Sequence, residues 1–307
     1  MEAIVRTKAD PDELARELME AALDMMNLEG KRIRRRFMRL ILDRGMPRFA
    51  QALADFDHSV ANDGFHAAVN SVLPAFRMTV TGHNIENVPL EGPVLLASNH
   101  PGGPDFITIF SQVPRNDGRL VAAVELLDML PNVLPHIIYT NRTKGKKKER
   151  GATTKKMIAE LEQGNCVLIY PRGKMEPDPM WARGGRECLE KWSTSLTHFA
   201  AAVPNLTIVP TVVAGSLERK AITMPWLRLY HSERVRQRTA IYIQLAMTMA
   251  RPQRWSPHSH VHFGEPIRVS EYAVEDVRPR VLEQMNELFT QCRASDWPLN
   301  TRLAGWV

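Results

Sequence analysis

Asn99-His100-Pro101-Gly102-Gly103-Pro104-Asp105 sets a histidine and an aspartate at the two ends of a turn rich in proline and glycine. An imidazole held by a carboxylate is the minimal apparatus for taking a proton from a hydroxyl. Apolar runs flank the turn, residues 94–97 before it and 106–110 after it, and they read as a strand and a helix. Two prolines bar an ordinary helix across the turn. Pro104 suits the first helical position, which puts Asp105 in the first turn of the following helix, where the helix dipole favours a carboxylate. Taken alone, an HxxxxD spacing is a weak signal. Asp105 could merely support a helix start, and His100 is one of ten histidines.

The elements that must position this pair come in two textures. Residues 11–75 read as helical throughout, opened by Asp10-Pro11-Asp12-Glu13 and punctuated by Gly30, Gly45, Pro47 and Gly64. Within them, residues 31–41 form a basic amphipathic helix whose Ile33, Phe37, Leu40 and Ile41 share one face and whose arginines cover the other. Such a helix either packs on the core or lies on an anionic membrane surface. From residue 76 the pattern predicts strands at 76–80, 94–97, 120–124, 136–139, 166–170, 207–213, 240–245 and 261–263. Between them it predicts a helix capped by Thr153 or Thr154 and closed by Gly164, one over 187–201, and a closing helix over 274–292. The alternation argues for an α/β fold, a central mixed β-sheet flanked by helices, with an N-terminal helical appendage.

Composition narrows the class. The chain has 307 residues, 44% hydrophobic and 24% charged, ordinary for a globular protein of one large domain with or without an appendage. Its 40 basic against 34 acidic residues favour anionic partners. Nucleic acid is set aside, because basic charge is its only support. Three cysteines without CxxC spacing point away from a disulfide framework or a cysteine zinc site, and towards a reducing compartment. There is no signal-peptide core and no apolar run long enough to span a bilayer, so the expectation is a cytoplasmic protein, peripheral at the inner membrane face. His258, His260 and His262 alternate as residues on one strand face do. Pro257 is expected to keep the first two in a loop, and acidic or cysteine partners are absent nearby, so no metal is expected.

Laid out in order, these pieces resemble the glycerolipid acyltransferase family, which moves fatty acyl groups onto glycerol-3-phosphate or lysophosphatidate. The resemblance covers residues 80–268 and rests on four motifs in family order. The first, NHxxxxD, is Asn99, His100 and Asp105. The second, an apolar strand ending in a polar residue and arginine, is Ile138-Tyr139-Thr140-Asn141-Arg142. The third, an aromatic-Pro-Glu-Gly-Thr-Arg run, corresponds to Tyr170-Pro171-Arg172-Gly173-Lys174-Met175. The fourth, an apolar strand into proline, is Ile208-Val209-Pro210-Thr211-Val212. The third motif departs from the family: Arg172 stands at the glutamate position, Lys174 at the threonine and Met175 at the arginine. The glutamate's hydrogen bonds are then lost unless Glu176 substitutes from a shifted place.

The resemblance implies that residues 76–307 form an acyltransferase domain of phospholipid biosynthesis behind a helical region over 1–75. His100 would be the general base and Asp105 would orient it. Gly102 and Gly103 are candidate oxyanion donors. Arg142, Arg172, Gly173 and Lys174 are candidates for the acceptor's anionic group. The implied partners are acyl-CoA or an acyl-carrier protein as co-substrate, a phosphorylated lipid acceptor and an anionic membrane surface, with no cofactor. The competing expectation is a catalytically altered relative that binds anionic lipid, favoured by Arg172.

Overall fold

Short apolar runs bounded by turn residues build a sheet, and longer runs with a helical period cover it. The computed structural model describes residues 9–26, 28, 31–122, 129–140, 147–182 and 184–292, with the backbone alone for 147–150. Eight strands are described: β1 (Thr79–His83), β2 (Val94–Ser98), β3 (Gly118–Ala122), β4 (Ile137–Tyr139), β5 (Cys166–Ile169), β6 (Thr207–Ala214), β7 (His258–Phe263) and β8 (Ile267–Arg268). They form one mixed sheet in the order β1-β7-β6-β2-β5-β3-β4, with β8 also on β6. Pairing is parallel except where β7 and β8 meet β6. The central strands β2 and β5 are buried at every residue, as continuous apolar runs in a sheet covered on both faces should be.

Alternation along those strands feeds two cores. Leu96, Leu168 and Val209 face one side, with Leu14, Phe56, Phe65 and Val69 from α1 (Pro11–Met25), α3 (Met46–Asp63) and α4 (Phe65–Val72). Leu95, Val167, Ile208 and Val212 face the other, with Phe199 from α8 (Ser195–Ala202) and Val281 and Met285 from α11 (Val274–Gln291). The helices before residue 76 therefore share a core with the sheet. Pro210 lies inside β6, where a missing N–H would normally break a ladder. Its carbonyl accepts from Gly264 N at 2.7 Å, so its nitrogen faces the kink between β7 and β8, where no acceptor has to be met.

Several expected elements shift. The strand expected at 240–245 is the middle of a helix, α10 (Glu233–Ala250), capped by Ser232. Ile243 and Ala246 of this helix pack with Leu23 and Leu42, whereas Ala240 and Ile241 pack with Leu217 and Leu227. A helix apolar on two sides lacks a clean 3.6-residue period, and a short run taken from it imitates a strand. β1 begins at Thr79, because Phe76 enters the core from a turn next to Arg77 at φ 51°. α6 (Lys147–Glu162) starts before Thr153, whose hydroxyl donates to the Tyr139 carbonyl at 3.1 Å instead of capping. Residues 187–201 hold two helices, α7 (Gly185–Leu189) and α8, separated around the buried Trp192. β7 begins directly after Pro257, so His258 and His260 belong to the strand.

α2 (Arg32–Leu42) turns its expected apolar stripe outward: Ile33, Phe37 and Leu40 are 87%, 54% and 73% exposed. Met38 and Leu42 bury instead, and Arg35 and Arg39 pair with Glu20 and Asp24 of α1. No helix among the described residues is long and apolar enough to cross a membrane.

Gly45 joins α2 to α3 at a point where a Cβ would sit 2.1 Å from the Ala246 carbonyl oxygen of α10. Backbone cannot yield as a side chain can, so Gly45→Ala should destabilise by about 2–4 kcal/mol. Gly151→Ala, in α6 with nothing within 4 Å, should instead stabilise by about 0.5–1 kcal/mol. Urea midpoints of the two variants check both signs, and equal midpoints would contradict the close α2–α10 packing.

Candidate active site

β2 leaves the sheet at its carboxyl end, the edge at which open α/β sheets present their ligand sites. The exit is fixed by Asn99, which is fully buried. Its side-chain amide donates to the Val213 carbonyl at 3.0 Å, and its oxygen accepts the Val213 N–H at 2.8 Å. The side chain thus extends the ladder beyond Ser98, the last residue of β2 to pair with β6. His100 follows at once. Gly102 and Gly103, at φ +96° and +73°, then reverse the chain in a conformation that L side chains rarely adopt. A Cβ on Gly102 would also meet Met175 Cε at 2.6 Å. Pro104 stands at the N-cap and Asp105 is the first residue of α5 (Asp105–Ser111), one position later than expected for the proline.

The turn closes on the carboxylate. Asp105 is 2% exposed, and its Oδ2 lies 2.7 Å from His100 Nδ1 and accepts the Gly102 N–H at 3.1 Å. Its Oδ1 accepts the Tyr170 hydroxyl at 2.8 Å. Burial, with Asp105 alongside, pushes the Tyr170 phenol well above its ordinary value, so it remains a donor. The Tyr170 ring also stacks on His100, centroids 4.2 Å apart. A carboxylate that accepts at Nδ1 fixes the neutral tautomer with its lone pair on Nε2. The imidazole is 22% exposed and therefore reachable. The arrangement suits proton abstraction from a hydroxyl. Gly102's N–H is directed at Asp105 and is not available to an oxyanion; the exposed Gly103 remains as a candidate donor.

The loop after β5 supplies what Arg172 could not. Glu176, 1% exposed, accepts the His100 N–H at 3.0 Å through Oε2 and donates its own N–H to the His100 carbonyl at 2.7 Å. Its Oε1 accepts from Trp192 Nε1 at 2.9 Å. The buried glutamate is thus present, displaced along the loop. Gln237 of α10 joins the same knot: its amide nitrogen donates to the carbonyls of Pro101 and Glu176, at 2.8 and 2.9 Å, and its oxygen accepts the Asp178 N–H at 3.2 Å. Asp178 in turn accepts the N–H groups of Met180 and Gly215, tying the loop to the end of β6.

Arg172 donates to the Met175 carbonyl at 2.9 Å and lends its charge to Glu176. Gly173, at φ +64°, and Lys174 are exposed. Arg234 of α10 approaches the same cation: burial, with Arg172 beside it, holds its guanidinium below the ordinary value. Arg142 lies outside the described residues, as do Lys144, Gly145 and Lys146. Reading the sequence missed Gln237, Arg234 and Trp192. The first two sit on the helix whose middle looked like a strand, and Trp192 lies in the break between two helices that read as one. Among the described residues, the only His, Cys, Asp and Glu group placed to hold a metal is His83, His260 and His262, away from this site.

Residues 79–214 match the family model described as Acyltransferase, a span that begins at β1, ends with β6 and includes the HxxxxD turn and the Tyr170 loop. The 1-acyl-sn-glycerophosphate (LPA) acyltransferase PlsC from Thermotoga maritima is similar in structure, at 12% identity and TM-score 0.45, over 93% of this chain and 100% of that one. No curated protein matches the sequence.

Burial raises the Glu176 carboxyl to about 7 against its usual 4.5, outweighing the Trp192 and His100 donors and the Arg172 charge. Below the unfolded value it is protonated in both states. As pH climbs towards 7 the unfolded chain ionises first, so this group's contribution to stability falls and then levels off. The stability of wild type relative to Glu176→Gln should therefore drop by about 3 kcal/mol between the two values. Urea titrations from pH 4.5 to 8 read that slope, and a flat difference would show an unshifted carboxyl.

Proposed function

We infer, from the match of residues 79–214 to the Acyltransferase family model, that this protein moves a fatty acyl group from an acyl thioester to a hydroxyl of a glycerolipid-type acceptor. The acceptor would be lysophosphatidate, glycerol-3-phosphate or a close relative. The observation that carries the reading is the 2.7 Å contact between Asp105 and His100 Nδ1, which turns the basic lone pair of Nε2 outward. His100 acts as general base: Nε2 takes the acceptor's proton as its oxygen attacks the thioester carbonyl. Asp105 orients the ring and stabilises the imidazolium, and Tyr170 and Gly102 hold Asp105. Collapse of the tetrahedral intermediate expels the thiolate, which recovers the proton from His100. No covalent acyl-enzyme is required and no cofactor is called for. The donor would be acyl-CoA or an acyl-carrier protein.

Arg172, Gly173 and Lys174 on the loop after β5, with Arg234 across from them, are proposed to receive the acceptor's phosphate, joined by Arg142. Guanidinium groups suit that task because they meet phosphate oxygens in a fork. Arg172 is also the feature that favours a protein that only binds lipid. That reading loses weight because Glu176 occupies the buried position that Arg172 had seemed to vacate. The outward stripe of α2, with Arg32, Arg34 and Arg36 exposed beside Ile33, Phe37 and Leu40, suits peripheral attachment to an anionic bilayer such as the inner membrane face.

Purified protein given mixed acyl-CoA and acyl-carrier donors and a panel of lysolipids, with products read by mass spectrometry, tests the chemistry. His100→Ala should lower turnover by ~10²–10⁴-fold in protein that circular dichroism shows to be folded. Arg172→Gln should raise the KM for phosphorylated acceptors alone. Transfer that survives His100→Ala would overturn the mechanism, and binding without turnover on any donor would support the lipid-binding reading. Replacing Ile33, Phe37 and Leu40 together by serine should reduce sedimentation with anionic vesicles while leaving the fold intact; unchanged sedimentation removes α2 from membrane attachment.

A further inference from the structure

The outer end of the sheet carries a second cluster of imidazoles. β7 presents His258, His260 and His262 at alternate positions, and parallel pairing with β1 sets His83 opposite His262 and Thr81 opposite His260. Period-two alternation sends Val261 and Phe263 into the core and the histidines to the other face. There His83 Nε2 lies 3.1 Å from His260 Nδ1, and the His83 and His262 rings stack with centroids 4.1 Å apart. One ligand-capable nitrogen from each of His83, His260 and His262 falls within 4.8 Å of the others, all three side chains being half-buried. His258 stacks on His260 with centroids 4.5 Å apart, and its own Nε2 is taken up by the Thr81 hydroxyl at 2.8 Å.

Three imidazoles brought this close gain little from one another. At most one N–H···N hydrogen bond forms between a pair, and any protonated ring repels its neighbours. A shared cation resolves both problems by turning the lone pairs inward. With bonds of about 2.0–2.1 Å, tetrahedral zinc sets its nitrogen ligands roughly 3.4 Å apart, close to the spacing of His83 and His260. We propose that His83, His260 and His262 form a site for a divalent transition-metal ion, best suited to Zn2+, with its fourth position open to water. An all-imidazole set suits zinc, cobalt, nickel or copper and disfavours Mg2+ and Ca2+, which take oxygen ligands.

The site is separate from the catalytic pair. The order β1-β7-β6-β2 puts three strand spacings, roughly 14 Å, between β1 and the strand that leads into His100. Its ligands come from both members of the β1–β7 pair, so the ion acts as a staple that holds edge strand β1 to the sheet. Binding would therefore stabilise the fold. The expectation of no metal rested on Pro257 holding His258 and His260 in a loop and on the absence of acidic or cysteine partners nearby. With β7 starting at His258 the first objection falls, and the third ligand, His83, lies far away in sequence.

The test uses the full-length chain without a histidine tag, stripped with a chelator. Titration with CoCl2 should give one ion per chain and a visible absorption band of tetrahedral character, displaced by ZnCl2. ZnCl2 should also raise the melting temperature. His83→Ala and His262→Ala should each weaken Co2+ binding by at least tenfold and abolish the thermal shift, while His100→Ala and the distant His198→Ala leave both intact. His83→Gln and His262→Gln, closer in size, give the same reading if the alanine variants unfold. Absence of stoichiometric binding in wild type overturns the proposal. So does binding that persists in folded His83 and His262 variants, or binding that is lost only with His100.

Discussion

The structure around the candidate base depends on a reciprocal clasp between two loops. His100 donates its N–H to the Glu176 carboxylate and accepts the Glu176 N–H on its carbonyl, at 3.0 and 2.7 Å. Neither loop belongs to the sheet, and this contact joins the Tyr170–Asp105 bond and the Gln237 bridge in fixing the segment after β2 against the segment after β5. Burying a carboxylate is costly unless its oxygens are satisfied, and here each oxygen has a donor, one from His100 and one from Trp192. The same constraint makes the site intolerant of partial change. Removing the carboxyl would strand two buried N–H groups, one of them on the backbone of the residue that must aim an imidazole. Asp105 is held by the same logic one layer out, by the Tyr170 hydroxyl and the Gly102 N–H.

How much of this could be read from the sequence follows from how local each cause is. The HxxxxD turn is legible because prolines, glycines and a helix start write their geometry into adjacent residues. Strands β2, β5 and β6 are legible because central strands covered on both faces need no alternation. The role of Glu176 could only be half read: the altered motif raised the question, but a displaced glutamate serves only if the loop's path brings it back to His100. Gln237 could not be read at all. Its helix is apolar towards two clusters, and the six-residue run 240–245 carries no period that separates helix from strand. β1–β7 register is likewise non-local, and His83 meets His262 only once that register exists.

The third motif shows what a change of residue type leaves untouched. Arg172, Lys174 and Met175 differ from the family's pattern in charge and size, yet Tyr170 still reaches Asp105 and Glu176 still reaches His100. The contacts to Asp105 and His100 therefore separate from the exposed part of the loop, where Gly173 and Lys174 lie. Near that exposed part, Arg172 and Arg234 bring like charges together, and burial adds to the cost. Under the proposed function, the variation in this loop bears on which anion would be received and leaves the proposed proton transfer unchanged.

α10 connects the two surfaces that the proposed chemistry needs. At one end Gln237 binds the carbonyls of Pro101 and Glu176, so the helix sets the width between the two loops that meet at His100. Further along, Ile243 and Ala246 pack with Met38 and Leu42 of α2, and the α2–α3 corner approaches so closely that only glycine fits at position 45. Close-packed contacts transmit displacement instead of absorbing it. α2 in turn is fixed to α1 through Arg35 and Arg39, with Ile33, Phe37 and Leu40 left facing outward. The outward stripe and the base are therefore parts of one rigid stack. On the proposed membrane attachment, a bilayer that received the stripe would meet the site in a set orientation.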